Sequence, residues 1–330
     1  MNNTDTLSMI NSAMKAVTNI SALGASVLQP EYINKYVQAM RAERTILKDC
    51  RYIDMQAQTY NMDRTEFGGR ITVSGVESTA PTASDPDFAQ VQLVAKEFVA
   101  LATLTDQAAR RTIERQQFAN TLTQMTANKF GEDAEALAVW GDTTKYTSGD
   151  LFKQQDGWIK KATNKIYGTE STSGAADQDF DKTGDVTDIL SKMLTEYPRN
   201  YLKNRSSLRF YLPSDAFDQY IDEVGVRETA QGDNALATNI ARPFKGVPVI
   251  ESYVLNDADG RDTTDGYGKT LMLLDPENTV FGNFHQITME QEREAIKRQT
   301  NFIVTRESDQ AFVNPNVNCV ALYDIAKPAS

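Results

Sequence analysis

Residues 130–142 read FGEDAEALAVWGD, and this segment decides the fold. Apolar residues recur at spacings of three and four from Phe130 to Ala138, which is the period of one helix face. The helical pattern extends back to Asp106 without a proline, so we expect a long helix over residues 106–140. Gly141 stands where a helix stop is expected.

Upstream of this helix, the pattern changes to the alternation of a β-hairpin between Phe67 and Leu104. Alternating apolar residues mark its two arms, residues 71–76 and residues 91–95. The tip, residues 77–88, is rich in Pro, Asp and Ser and has few large apolar side chains to bury. We therefore expect a long hairpin that projects from the body, although an ordinary surface hairpin has the same pattern.

Two amphipathic segments precede the hairpin. Residues 7–20 carry apolar side chains at helical spacing, and a second such segment begins after Pro30 and runs to Leu47. Each apolar face needs a partner. The sequence leaves open whether this arm packs on its own body or reaches a neighbouring subunit or a scaffold.

Downstream of the long helix, helices and strands are mixed without regular alternation. A loop-rich boundary over residues 145–187 leads into a helix that ends at Tyr197-Pro198, and Ser214 is expected to cap a helix through Ile221. Strands are expected at residues 208–212, 246–250, 271–274, 280–289, 302–312 and 319–322, with the charged run 290–298 as an interruption. This mixture favours an α+β fold over a doubly wound sheet.

Composition excludes several classes of protein. The chain has 330 residues, of which 40% are hydrophobic, so it is long and apolar enough for a globular core. A net charge of -11 disfavours DNA binding through phosphate neutralisation. No run approaches the about 18 apolar residues of a membrane span, so we expect a cytoplasmic protein. Cys50 and Cys319 lack any paired spacing and are expected to be buried apolar residues.

The residues do not predict catalytic chemistry. The chain has a single histidine, His285, so a site of several histidines is excluded. No serine or cysteine nucleophile is suggested near it. Gly268-Lys269-Thr270 imitates a phosphate loop, but Thr263 stands where the first glycine is required. The turn of residues 257–260 imitates part of a calcium loop, but Leu255 would be its first ligand. We expect no catalytic residue, no cofactor and no metal.

Taken in order, several segments resemble the tailed-phage major capsid family, whose fold was first described in bacteriophage Hong Kong 97. The most specific is the Glu-Asp-Ala helix that closes on Gly141-Asp142. The others are residues 37–50, KEFVA at 96–100, FYLPS at 210–214, FKGVPV at 244–249, Asp275-Pro276 followed by VFGNF at 280–284, and TRESD at 305–309. Each segment is degenerate alone, and their order and spacing carry the resemblance.

The resemblance implies an α+β fold of the Hong Kong 97 type. Its implied parts are an N-terminal arm (1–60), an extended β-hairpin loop (61–95), a peripheral domain (96–160) with a spine helix at 106–140, an axial domain (161–277), peripheral return strands (278–314), and a C-terminal strand and tail (315–330).

In this family, pentamers and hexamers tile an icosahedral shell around double-stranded DNA. The resemblance thus implies the major capsid protein of a tailed phage, assembled in the bacterial cytoplasm, that encloses DNA without sequence-specific binding. The implied partners are further copies of the chain, a separate scaffolding protein, a portal and a cement or decoration protein, and no membrane is involved. The implied subunit-interface residues are Tyr36, Met40, Phe67, Arg70, Glu77, Asp85, Asp87, Phe88, Lys96 and Arg306.

Two departures from the family pattern affect how the shell is expected to hold together. Some members cross-link loop lysines to neighbours, but residues 67–95 contain no lysine, and Arg70 is their one basic residue. Some members lose a long N-terminal scaffolding region, whereas 66 residues precede this hairpin. We therefore expect no cross-link and no maturation cleavage.

Two other functions remain open. An encapsulin-like nanocompartment shell resembles the same fold but encloses protein cargo. A soluble enzyme with an unrecognised site is the remote alternative, because no set of catalytic groups is visible.

Overall fold

The computed structural model describes residues 44–67, 72, 86–107, 118–147, 149–169, 185–202, 205–225, 243–257, 267–284 and 288–326. Its α-helices are α1 (Ile46–Asp49), α2 (Phe118–Trp140), α3 (Trp158–Lys161), α4 (Asp185–Glu196) and α5 (Ser214–Gly225). Short 3-10 helices span Leu151–Lys153, Arg199–Tyr201 and Tyr253–Asn256.

The strands form two five-stranded sheets and one hairpin. They are β1 (Arg51–Asp54), β2 (Thr59–Glu66), β3 (Asp87–Val94), β4 (Lys96–Thr105), β5 (Lys165–Thr169), β6 (Arg209–Leu212), β7 (Val249–Glu251), β8 (Thr270–Leu274), β9 (Thr279–Asn283), β10 (Thr288–Glu294), β11 (Gln299–Phe312) and β12 (Cys319–Ala326).

The first sheet is organised around β11. Its first half pairs antiparallel with β4 on one side and β10 on the other, and residues 308–312 pair with β9, which β1 joins in parallel. One face of this sheet packs on α2, where Phe98 and Val304 meet Phe130 and Leu137 in a buried cluster. The opposite face carries exposed side chains.

The second sheet has the strand order β5-β12-β8-β6-β7 and is covered on both faces. All five residues of β8 are buried, as expected for an apolar strand in the middle of a covered sheet. Leu271 and Leu273 join the cluster formed with α4 and α5, whereas Met272 and Leu274 join the cluster that contains the end of α2. This sheet is therefore the centre of the core.

Two glycines allow the end of α2 to cross the segment that leads into α3. The backbone amide of Gly157 donates to the carbonyl oxygen of Gly141 at 2.7 Å. A Cβ atom on Gly141 would lie 2.3 Å from the carbonyl oxygen of Gln155. This close approach fixes where α2 ends.

Most of the expected elements are confirmed. The mixed α+β class is confirmed, as are the helix ending before Tyr197 and the strands expected at residues 208–212, 271–274, 302–312 and 319–322. The strand expected over residues 280–289 is confirmed in part, since β9 ends at Asn283 and β10 begins at Thr288. The predicted helix over 106–140 is present at residues 106–107 and 118–140, and residues 108–117 lie outside the described part. The predicted helix over residues 7–20 and the hairpin arm over residues 71–76, apart from residue 72, also lie outside it.

Three local predictions are wrong. The charged run is not an interruption, because Glu290–Glu294 belongs to β10 and only residues 295–298 form its turn. Strand β5 lies inside the segment expected to be loop. Ser214 does not cap its helix with its side chain, since its hydroxyl donates to Glu251 at 2.5 Å and accepts from Asn256.

Candidate subunit-interaction surfaces

The hairpin of β2 and β3 has two different faces. All eight residues of each strand are paired, which gives a ribbon about 27 Å long at about 3.4 Å per residue. On one face, Met62 and Leu93 are buried against the first sheet. On the other face, the Gln90 amide donates to Asp63 at 2.8 Å. One face therefore docks on the body and the other is polar.

The expected projection of the hairpin needs a correction for these strands. The hydroxyl of Tyr201 donates to the carboxylate of Glu66 at 2.6 Å and accepts from the side-chain amide of Asn314 at 3.2 Å. Burial, with the hydrogen bond to Glu66, raises the pKa of Tyr201. Because Glu66 ends β2, the paired strands lie along their own subunit.

The end of the hairpin exposes two aromatic side chains. Phe88 is 74% exposed and Phe67 is 51% exposed. Asp87 is also exposed and lies opposite Glu66 in the strand register. These three interface predictions therefore fall together where the described strands of the hairpin end.

The other predicted interface residues are placed differently. Lys96 is exposed at the start of β4, and its amine donates to the carbonyl oxygen of Gln154 in the same chain. Tyr36, Met40, Arg70, Glu77 and Asp85 lie outside the described residues.

Arg306 lies inside the subunit. Arg306 is 3% exposed. Its guanidinium carbon lies 5.4 Å from the centre of the Phe98 ring, 4.9 Å from that of Phe130 and 5.7 Å from that of Phe281. A cation over aromatic faces stabilises the packing of α2 on the first sheet. Arg306 has almost no surface to offer a neighbour in this conformation.

Sequence reasoning missed the open face of the first sheet. Val99 is 59% exposed and Leu101 is 65% exposed, and Leu101 lies opposite the half-buried Ile303 in the register. Ile296, in the β10–β11 turn, is 96% exposed. The sequence does carry a sign of this face, because β4 has apolar residues at both odd and even positions. Since successive side chains of a strand point to opposite faces, each face of β4 carries apolar side chains.

A buried polar network joins the end of α2 to the second sheet. Asp142 accepts from Lys160 and from the Tyr267 hydroxyl, each at 2.6 Å. Lys145 lies 3.5 Å from the centre of the Tyr267 ring. These contacts are all internal to the subunit, so the network is a structural junction.

The described residues contain no group of three or more His, Cys, Asp or Glu side chains arranged to hold a metal ion. Cys50 and Cys319 are both buried and are not joined in a disulfide, and His285 lies outside the described residues. Among the helices that the structure describes, none has the length and apolarity needed to cross a membrane.

Comparison with known proteins agrees with this architecture. A model of the phage capsid family matches residues 24–320. The chain is 27% identical over 312 residues to YqbE of Bacillus subtilis (strain 168), described as a prophage capsid protein, and the match covers 92% of this chain and 94% of that protein.

Two solved structures show a similar fold. A chain of the satellite phage P4 procapsid including size determination (Sid) protein aligns with a TM-score of 0.65 at 11% identity, over 97% of this chain and 99% of that chain. A chain of Gordonia phage Cozz aligns with a TM-score of 0.57 at 12% identity, over 86% of each chain.

At these identities the solved structures show the fold alone, and the family model adds the assignment. It spans most of the sequence, including both sheets, α2 and the hairpin. The protein is accordingly a structural protein of a virion shell and not an enzyme. The chain belongs to the phage capsid family.

Proposed function

We propose that this chain is the major capsid protein of a tailed phage, with a fold of the Hong Kong 97 type. Its pentamers and hexamers tile an icosahedral shell, assembled in the host cytoplasm, that encloses double-stranded DNA. One observation carries the proposal: a docked hairpin presents Phe67 and Phe88 to solvent at its end. Large exposed aromatic side chains are unfavourable in a lone subunit and stabilise contacts between subunits.

Each part of the chain has a role in this proposal. The arm, residues 1–60, is rooted in its own subunit by α1 and β1 and contacts a neighbour beyond that root. The extended loop, residues 61–95, docks on its own subunit through its paired strands and contacts the adjacent subunit through Phe67 and Phe88. Residues 96–160 and 278–314 form the peripheral domain, and residues 161–277 surround the capsomer axis. Residues 315–330 close the chain as the last strand and tail.

The open face of the first sheet supports the same assembly. Val99 and Leu101 stand side by side along β4 with Ile303 across the register, so their apolar surface is continuous. Contacts of modest strength add up when each subunit makes many of them. Overlap between subunits therefore suffices for a stable lattice.

The charge of the chain fits a container better than a DNA-binding protein. A net charge of -11 repels phosphates and prevents the packed genome from adhering to the wall. Further proposed partners are a separate scaffolding protein, a portal and a cement or decoration protein.

The lattice is proposed to be non-covalent. Residues 67–95 offer no lysine to a cross-link, and the amine of Lys96 is engaged within its own chain. Intact-mass measurement of subunits from mature particles is expected to give unlinked subunits. A cross-linked mass would contradict this part of the proposal.

Electron microscopy of the chain produced together with a scaffolding protein tests the function. Closed icosahedral shells support it, and a monodisperse monomer under every assembly condition contradicts it. Particles purified from host cells that make them should also contain nuclease-protected DNA. Shells that contain only protein cargo would instead identify a nanocompartment.

A further inference from the structure

The N-terminal segment enters the described body at a junction of three elements. Arg44 is the first described residue, and the adjoining cleft of about 450 Å³ is lined by Arg44, Glu132 and Glu135 together with Tyr253 and Asn256. This junction therefore holds the base of the N-terminal arm, residues 44–50, on the body.

Glu135 is the central group of the junction. It lies on α2, is 4% exposed, and its Oε1 atom accepts from the backbone amides of Ile46 at 2.7 Å and Leu47 at 3.0 Å. These are the first two residues of α1, whose amides have no partner within the helix itself. Glu135 therefore caps α1 from another element.

The usual cap is absent because its side chain is used elsewhere. Thr45 precedes α1 but makes no capping hydrogen bond with its side chain. Its hydroxyl instead contacts the hydroxyl of Ser252 at 2.6 Å, just after β7 of the second sheet. In place of a local cap, α1 has the contacts from Glu135 and the contact between Thr45 and Ser252. Both connect it to distant parts of the chain.

Three further contacts close the junction. The guanidinium of Arg44 donates to the carbonyl oxygen of Asn128 at 3.1 Å and lies 3.3 Å from the carboxylate of Glu132. The indole of Trp140 donates to the carbonyl oxygen of Val254 at 2.8 Å. The base of the arm is consequently bonded to α2 and to the second sheet at once.

Burial raises the pKa of Glu135, while the amides of Leu47 and Ile46 and the charge of Arg44 oppose that rise. A carboxylate is costly to bury unless it is hydrogen-bonded. The hydrogen bonds that compensate this one come from the base of the arm, so its burial links α2 to the arm.

We propose that Glu135 is a positioning residue for shell assembly, which anchors the base of the N-terminal arm by capping α1. The anchor holds the base of the arm against α2 and the second sheet, and a fixed base favours assembly. The assembly part of this inference rests on the proposed function, whereas the anchor itself does not.

Three variants of the full chain test the anchor by hydrogen exchange with mass spectrometry. Glu135→Ala removes the acceptor, Glu135→Gln keeps an acceptor oxygen, and Glu132→Ala removes the neighbouring exposed carboxylate. Exchange in residues 44–50 should rise about tenfold to a hundredfold in Glu135→Ala, since a hydrogen bond to a charged group is lost. Exchange should stay within about twofold of the parent in Glu135→Gln, which keeps the acceptor oxygen. It should do so also in Glu132→Ala, because surface ion pairs contribute little.

The same variants then test positioning through shell yield with the scaffolding protein. Glu135→Ala should lower the yield about tenfold or more, and Glu135→Gln should restore it, because capping and not charge holds the base of the arm. Exchange in α5 serves as the internal reference for global stability.

Each alternative outcome overturns a defined part of the inference. Unchanged exchange in residues 44–50 of Glu135→Ala, or an equal rise in α5, would overturn the anchor. A loosened base with parental shell yield would overturn the role in assembly. If the parent chain itself forms no shell, the proposed function fails while the exchange results still decide the anchor.

Discussion

At the scale of single residues, the contact between Gly141 and Gly157 sets the end of the longest helix. A Cβ atom on Gly157 would lie 2.6 Å from the carbonyl oxygen of Val139, and one on Gly141 would lie 2.7 Å from that of Leu137. The opposing atoms are backbone, which cannot rotate away as a side chain can. Alanine at either position forces α2 and the α3 segment apart.

Gly141→Ala should lower the free energy of unfolding by about 3 kcal/mol or prevent folding, because a tightly packed core gives way poorly to added atoms. Gly149→Ala is the matched control. Gly149 has φ +97 but nothing within 4 Å of an added Cβ, so about 1 kcal/mol is expected from backbone strain alone. Urea unfolding of unassembled subunits measures both, and equal losses would contradict the packing argument.

The sequence predicted the position of Gly141 but not its reason. A helix stop was expected there because glycine accepts positive φ. Among the described glycines, however, positive φ occurs at Gly149, Gly246 and Gly268 and not at Gly141. The need arises from a segment far enough along the chain that no local pattern reveals it.

Asp142 makes the stability of the subunit depend on pH. Burial raises the pKa of Asp142, but hydrogen bonds from Lys160, Thr144 and Tyr267 outweigh that effect and hold the pKa well below its ordinary value. A carboxylate with a depressed pKa stabilises the fold above its unfolded pKa of about 4, and this contribution is lost as the pH falls further.

Asp142→Asn should destabilise unassembled subunits by about 3 kcal/mol at neutral pH, because it leaves Lys160 without its buried partner. Below a pH of about 4, the free energy of unfolding of Asp142→Asn should also fall less steeply with decreasing pH than that of the parent. Asp133→Asn, which alters an exposed carboxylate paired with Lys129, should change stability by no more than about 0.5 kcal/mol. A parental acid profile in Asp142→Asn would refute this assignment.

At the scale of elements, a bridging hydroxyl adds to the apolar contacts that hold the hairpin to its own subunit. Tyr201→Phe removes the contacts to Glu66 and Asn314 but keeps the ring. Exchange in residues 59–66 should therefore rise about fivefold, while global stability falls by less than about 1 kcal/mol. Tyr253→Phe, at a tyrosine that is 71% exposed, is the control. Unchanged exchange in β2 would show that the bridge does not hold the strand.

The hairpin also shows where sequence patterns stop being informative. Residues 91–94 were correctly expected to be a strand, and they pair with β2, which the sequence did not predict. The arm expected over residues 71–76 lies outside the described residues apart from residue 72. β2 reads TYNMDRTE and buries only Met62, because one of its faces points to solvent and the other docks shallowly. Such a strand has no apolar alternation to detect. β10 was missed for the same reason, since its charged side chains stand at an exposed edge.

At the scale of the whole molecule, folding and assembly depend on different residues of the same hairpin. Phe88→Ser should change subunit stability by less than about 0.5 kcal/mol, because Phe88 is 74% exposed, yet it should reduce shell yield about tenfold or more. Leu93→Ala, at a fully buried position, should instead cost about 3 kcal/mol of subunit stability. Unfolding curves and electron microscopy separate the two effects, and parental shell yield in Phe88→Ser would count against the hairpin as an assembly contact.

The architecture of the molecule was more predictable than its surfaces. The apolar run at residues 271–274 of β8 and the helix at residues 130–140 must both be buried in a core. The α+β class could therefore be predicted from the sequence. Interface residues did not follow in the same way. Arg306 is charged and yet buried among three rings, whereas Val99 and Leu101 are apolar and yet exposed. Which side of β4 is left exposed is decided by the packing of α2 on its other side.

The most direct test of this account is a cryo-electron microscopy reconstruction of particles built from the chain. The expected result is closed shells of pentamers and hexamers in which Phe67 and Phe88 of each subunit lie within about 4 Å of apolar atoms of a neighbour. Shells in which both side chains face solvent, or a chain that stays monomeric under every assembly condition, would contradict it.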